Sequence, residues 1–163
     1  MAIADIFKDR SKAEGWDITD AGTLTEHRTI EADVIIVGTG AGGGVSAEIL
    51  SQAGLKVVMI EEGGLFTSDN FNMAELQAYG DLYQESGGRA TKDGAIGIYQ
   101  GRAVGGTTVV NWTSSFRTPE PTFAHWQKEH GLKDFTTEKM APYFAQMEKR
   151  LNVEKWALSP NAN

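Results

Sequence analysis

Apolar residues cluster in two short runs near the front of the chain, with a helical pattern between them. Val34, Ile35, Ile36 and Val37 form a continuous β-branched run, which predicts a strand buried on both faces. Val45, Ile49, Leu50 and Ala53 then recur at helical spacing, and Gly54 is placed to stop that helix. Leu55 to Ile60 supplies a second apolar run and a second strand. Strand, helix and strand in this order predict an α/β fold with a parallel, Rossmann-like sheet.

The rest of the chain is less regular. Ala4 to Ala13 predicts a short surface helix, and Gly15 to Arg28 an irregular lead into the first strand. Phe66 to Asn72 predicts a loop, Met73 to Tyr83 a helix weakened by Gly80, and Glu85 to Gly94 a glycine-rich turn. Ala95 to Gln100 alternates and predicts a third strand. In PTFAHWQKEHG a surface helix turns Phe123 and Trp126 inward. Thr136 or Thr137 caps a last helix that begins near Glu138, with Pro142 in its first turns. Met140, Tyr143, Phe144, Met147 and Leu151 make its packed stripe, and Lys139, Glu148, Lys149 and Arg150 its solvated face.

The turn between the first strand and its helix carries the chemistry. Gly38, Gly40 and Gly43 stand at Gly-x-Gly-x-x-Gly spacing. The first glycine allows the tight turn, the second lets a pyrophosphate approach the backbone, and the third lets the helix pack close to the sheet. The helix start directs free N–H groups and a positive dipole end at such a phosphate. Glu61, 18 residues after Gly43, ends the second strand where an acid meets the adenosine ribose hydroxyls. A carboxylate there repels a 2′-phosphate and so favours FAD or NAD over NADP. A plain βαβ unit with turn-forming glycines leaves Glu61 without a purpose.

Composition narrows the classes. The 163 residues fit about one domain, and 40% are apolar. The net charge of −7 argues against nucleic acid as a partner. The absence of cysteine removes disulfides, thiolate metal sites and cysteine nucleophiles. His27, His125 and His130 are not at metal-ligand spacing, so no metal site is expected. Asp5, Lys8, Asp9 and Arg10 break the mildly apolar start before a signal peptide forms, and no run reaches membrane-span length. A cytoplasmic location is expected.

A second glycine cluster runs from Gly101 to Asn111: GRAVGGTTVVN. Gly105, Gly106, Thr107 and Thr108 offer close backbone approach and several donors, suited to a pyrophosphate, a ribityl chain or a flavin edge. The same residues suit a glycine turn entering a β segment.

Taken together, VGTGAGGGVSAEIL with VVMIEEGG, then GRAVGGTTVVN followed by Phe116 and Pro119, and finally FTTEKMAPYFAQMEKRLNV, resemble the glucose–methanol–choline (GMC) oxidoreductases. These are FAD-dependent alcohol oxidases and dehydrogenases. The resemblance covers most of Asp33 to Val153. It implies that Gly38, Gly40 and Gly43 line the FAD pyrophosphate and that Glu61 binds the adenosine ribose. Gly105, Gly106, Thr107 and Thr108 would follow the pyrophosphate and ribityl chain, with Asn111 near the isoalloxazine ring. Thr39, Ala41, Glu62, Arg102, Val104 and Trp112 complete the candidate cofactor-binding set.

Two departures from the family pattern stand out. Four residues, Trp112 to Ser115, separate Asn111 from Phe116, where the family signature has three. NWTSSFRTP is most similar to the long-chain alcohol oxidase branch, which implies an apolar alcohol substrate. Val110 stands where some members carry a histidine that bonds FAD covalently, which implies a non-covalent flavin. The family's proton-accepting histidine lies in a C-terminal region with no counterpart here, and none of the three histidines is expected to be catalytic.

Residues 1–30 are therefore expected to be a lead segment. Residues 31–163 are expected to be the N-terminal part of a discontinuous FAD-binding domain, incomplete in this chain. Its partner would be the remaining C-terminal part of the same enzyme, joined covalently or as a separate chain, and its substrate a small-molecule alcohol. Leu158 to Asn163 has the composition of an exposed loop. The alternative is a stand-alone NAD- or FAD-binding module without catalysis.

Overall fold

The computed structural model describes residue 14 and residues 17–155. The helix expected at Ala4–Ala13 and the loop expected at Leu158–Asn163 lie outside them. The chain divides into two compact units, Met1–Trp112 and Thr113–Asn163.

In the first unit, residues 17–33 lead irregularly into the sheet apart from a 3-10 turn, Ala21–Thr23, capped by the Asp20 side chain. Strand β1, Val34–Val37, and strand β2, Val57–Ile60, pair in parallel, with Val34 opposite Val57 and Val37 opposite Ile60. Asp33 closes the open end of this pair: its N–H donates to the Lys56 carbonyl at 2.9 Å and its carboxylate accepts from Lys56 N–H at 2.8 Å. Helix α1, Ala41–Gln52, makes the crossover. Its tight start is a matter of space. A Cβ at Gly43 would lie 2.0 Å from the Gly38 carbonyl oxygen and 3.3 Å from the Ile36 Cγ2, so only glycine lets the helix lie on β1.

The sheet is not buried on both faces, as the apolar runs predict. Ile35 is 59% exposed, Val37 83% and Ile60 52%. Among the described residues this sheet has two strands. Residues alternate sides along a strand, and α1 covers the side of Ile36. The α1 stripe is also open, with Val45 37% and Ile49 61% exposed.

Helix α2, Glu75–Leu82, is shorter than predicted, because Met73 has a left-handed φ of 62° and Tyr83 is extended. The third strand predicted at Ala95–Gln100 does not form. That segment runs antiparallel to residues 82–91 but makes only isolated bridges, Ala90 with Gly97 and Tyr83 with Gly101. Its partner is broken by a 3-10 turn, Gln84–Gly87, in which Glu85 and Ser86 both take φ 52°. Tyr79, Tyr83 and Tyr99 pack together over this bend, with ring centroids 5.1–6.5 Å apart.

The second unit is a helix pair. Helix α3, Glu120–His130, starts after Pro119 and ends at Gly131, whose φ is 67°. Helix α4, Thr137–Arg150, is capped by Thr136, whose hydroxyl accepts from Lys139 N–H at 3.2 Å. Phe123 is 2% exposed, and its ring meets Trp126 at 5.8 Å and Phe144 at 6.4 Å. Tyr143 and Leu151 do not join the predicted stripe; they are 63% and 64% exposed. Glu148 is not merely solvated, since both of its oxygens bond Arg117, at 2.7 and 2.6 Å.

Candidate functional site

Three segments of the first unit meet at the carboxyl ends of β1 and β2: the turn from Gly38 into α1, residues 61–64 after β2, and the loop 101–109. Each is brought there by backbone bonds. Gly38 N–H donates to the Ile60 carbonyl at 2.7 Å, which starts the turn at the sheet edge. Gly64 forms a parallel bridge with Ala103, and Val104 N–H donates to the Gly64 carbonyl at 2.9 Å. Ala103 is fully buried at this crossing.

The crossing is possible only without side chains. A Cβ at Gly63 would lie 2.3 Å from the Arg102 carbonyl group, and one at Gly101 would lie 2.5 Å from the Gly106 oxygen. Gly106, at φ 59°, faces the first motif directly: a Cβ there would lie 2.8 Å from the Gly40 Cα. The two glycine motifs of the sequence are therefore one structure, packed backbone to backbone.

Side chains then tie the segments together. Glu61 Oε2 accepts from Thr39 N–H and from the Thr39 hydroxyl, each at 2.8 Å. Glu61 Oε1 accepts from Gly63 N–H at 3.2 Å. Gly105 N–H donates to the Thr39 hydroxyl oxygen at 2.9 Å. Burial raises the Glu61 carboxyl, but the bonds from Thr39 and the backbone N–H groups of Gly63 and Glu62 together outweigh it and hold it below the ordinary carboxylate range. Within the second loop, Gly101 N–H donates to the Thr107 hydroxyl at 3.1 Å and the Thr108 hydroxyl donates to the Gly105 carbonyl. Residues 106–109 form a 3-10 turn, not the start of a β segment.

At the exposed rim, Glu62 pairs with Arg102 at 3.5 Å and accepts from the Gln84 amide. Val104 is half-buried beside the crossing. Asn111 and Trp112 follow the 3-10 turn in an exposed stretch, with Trp112 94% exposed. Among the described residues no group of three or more His, Asp or Glu side chains is arranged to hold a metal.

The junction suits an anionic, extended ligand. Helix α1 has Gly40 as its N-cap, with no side-chain cap and no acid in its first turn, which leaves its first N–H groups and positive dipole end for a phosphate. A Cβ on Gly40 would meet only the Gly106 Cα, 4.0 Å away, so the space beside that backbone is open. An acid at the end of β2, a bare helix start and a facing glycine loop fit the pyrophosphate and ribose of a dinucleotide.

Two residues of the junction were not singled out by spacing alone. The role of Thr39 lies in its hydroxyl bridge to the 105–106 loop, and that of Gly63 in a crossing with residue 102. The adjacent glycines in EEGG were the available signal for the second.

Known proteins resemble this chain in sequence over most of its length. A family model described as GMC oxidoreductase matches residues 79–163. A long-chain-alcohol oxidase of Arabidopsis thaliana is 36% identical over 124 residues, which is 76% of this chain and 17% of that protein. A second Arabidopsis thaliana long-chain-alcohol oxidase is 34% identical over 146 residues, 90% of this chain and 19% of that protein. The chain thus spans under a fifth of the length of these curated relatives. The crystal structure of pyridoxine 4-oxidase from Mesorbium loti superposes with a TM-score of 0.52 at 23% identity, over 69% of this chain and 24% of that one. This last similarity bears on the fold alone and agrees with the α/β reading.

Proposed function

This chain belongs to the GMC oxidoreductase family, and from that premise we propose that it supplies the FAD-binding cradle of an enzyme that oxidises alcohols. The observation that carries the proposal is the interlock of the two glycine motifs, where Gly106 packs on Gly40 and Gly105 bonds Thr39. Gly38, Gly40, Ala41 and Gly43 would hold the pyrophosphate and Glu61 the adenosine ribose, with Thr39 serving the cradle through its bonds to Glu61 and Gly105. Gly105 to Thr108 would follow the pyrophosphate toward the ribityl chain, with Asn111 and Trp112 toward the ring. Glu62 and Arg102 would form the outer rim. When bound, FAD supplies the acceptor for the hydride that leaves the alcohol carbon.

The chain's own part is to bind, orient and fix. Val110 offers no nucleophilic side chain, in keeping with a non-covalent flavin. The proton of the substrate hydroxyl would go to a base in a further C-terminal segment, which would also shape the substrate site. The match to long-chain-alcohol oxidases favours an apolar alcohol. The bare Ile35, Val37 and Ile60 face supports a larger assembly, since a two-stranded sheet is at best marginal alone. Among the described residues no helix is long and apolar enough to cross a membrane.

The test is a visible absorption spectrum of the purified full-length protein. A flavin band that bleaches on adding a long-chain alcohol is the expected result. A colourless protein that binds NAD would leave the non-catalytic nucleotide-binding module instead. Gly40→Val, which fills the space beside the α1 start, is expected to abolish flavin binding, with far-UV circular dichroism checking that the variant still folds. Full flavin occupancy in this variant would remove the cradle.

A further inference from the structure

Thr39 fills a variable position of the first glycine motif, where the motif asks for no side-chain chemistry. Its hydroxyl nevertheless joins all three segments of the junction. It donates to Glu61 Oε2 at 2.8 Å and accepts from Gly105 N–H at 2.9 Å, while Thr39 N–H donates to the same carboxylate oxygen at 2.8 Å. A hydroxyl has one proton to give and two lone pairs to offer, and here both functions are used across long stretches of sequence.

The consequence falls on Glu61. Thr39 provides two donors to Oε2, and turning the carboxylate would break both bonds. Oε1 is held more loosely, by Gly63 N–H at 3.2 Å. The side chain is thus anchored by one oxygen and presents the other. The same hydroxyl fixes Gly105, the residue before the Gly106 contact with Gly40.

We propose that Thr39 is a positioning residue: its hydroxyl sets the Glu61 carboxylate to recognise the diol of a nucleotide ribose and locks the second glycine loop in the matching place. The proposal rests on the reading of this junction as a dinucleotide cradle. Valine has the same shape as threonine but neither donates nor accepts. Thr39→Val would leave Gly105 N–H without its partner and Glu61 Oε2 held by one bond. Thr39→Ser keeps both functions.

Calorimetric titration of the full-length protein, freed of bound flavin, with ADP and with 2′,3′-dideoxy-ADP tests this. The unaltered protein and Thr39→Ser are expected to bind ADP about 10- to 100-fold more tightly than the dideoxy analogue, the worth of a hydrogen bond to a charged acceptor. In Thr39→Val the ratio is expected to fall toward one. The ratio does not depend on the folded fraction. Should Thr39→Val fail to fold, Thr39→Cys, which weakens both bonds, is expected to give a ratio clearly below that of the unaltered protein. A full ratio in whichever of these variants folds overturns the proposal. Equal binding of both nucleotides by the unaltered protein also overturns it, yet leaves the cradle standing. Binding of neither removes the cradle as well.

Discussion

The helix pair and the glycine junction are held together by opposite means. In the second unit, α3 meets α4 through the rings of Phe123 and Phe144, and the cluster is extended by Trp126 of α3, which meets Phe123 and also Phe135 of the connecting loop at 6.2 Å. In the first unit, the junction is made by leaving side chains out, at Gly43, Gly63, Gly101 and Gly106. One region loses stability when atoms are removed, the other when they are added. The junction can therefore bring three stretches of backbone, with their N–H groups, to one place, which a packed side-chain core cannot do.

The largest expected effect is in the helix pair. Phe123→Ala removes the ring that Trp126 and Phe144 pack on and is expected to cost about 3–5 kcal/mol. Urea denaturation checks this, and a cost under about 1 kcal/mol would mean that the pair is held by something else. Next come the glycines of α1, which separate two contributions. Gly43→Ala is expected to destabilise by about 1–3 kcal/mol through overpacking, despite the better helix propensity of alanine. At Gly42 an added Cβ meets nothing within 4 Å, so Gly42→Ala is expected to stabilise by up to about 1 kcal/mol. Equal effects at the two positions would show that the close approach of α1 to β1 is not what Gly43 serves.

The same contrast explains what the sequence made legible. Local signals were sufficient where the cause is local. Thr136 marks a helix start, Gly43 marks the close approach of α1, and Phe123 and Trp126 share one helical face. Burial was misjudged where the cause is distant. Val34 to Val37 has the composition of a strand covered on both sides, but cover depends on elements elsewhere, and Val37 is 83% exposed. The segment 95–100 alternates like a strand, yet its partner bends at Glu85 and Ser86. At the site, the motif glycines and Glu61 were visible from spacing. The hydroxyl bridge from Thr39 to Gly105 spans 66 positions and leaves no local trace.

A smaller effect distinguishes the charge in the junction from the charge on the helix pair. Glu61 lies below the ordinary carboxylate range, so its ionised form is the one the fold prefers. Its contribution is present above the unfolded pKa of about 4.3 and is lost as pH falls through its lower folded value. The stability gap between the unaltered protein and Glu61→Gln is therefore expected to be constant near neutrality and to narrow in acid. A gap that is independent of pH would mean that the Thr39 bonds do not depend on the charge.

The smallest expected effect is at the Arg117–Glu148 pair. The geometry is bidentate, at 2.7 and 2.6 Å, and hydrogen bonding from Arg117 holds Glu148 below its usual range. Both side chains remain well exposed, at 49% and 37%, so water and salt screen the attraction. Coulombic force and exposure thus work against each other, and exposure wins. A double-mutant cycle with Arg117→Met and Glu148→Gln is expected to give a small coupling at low salt that fades as salt is raised. A coupling that persists in high salt would mean that this pair is shielded from solvent. The helix pair would then share a trait with the junction, where Glu61 is held by backbone and hydroxyl donors and needs no opposite charge.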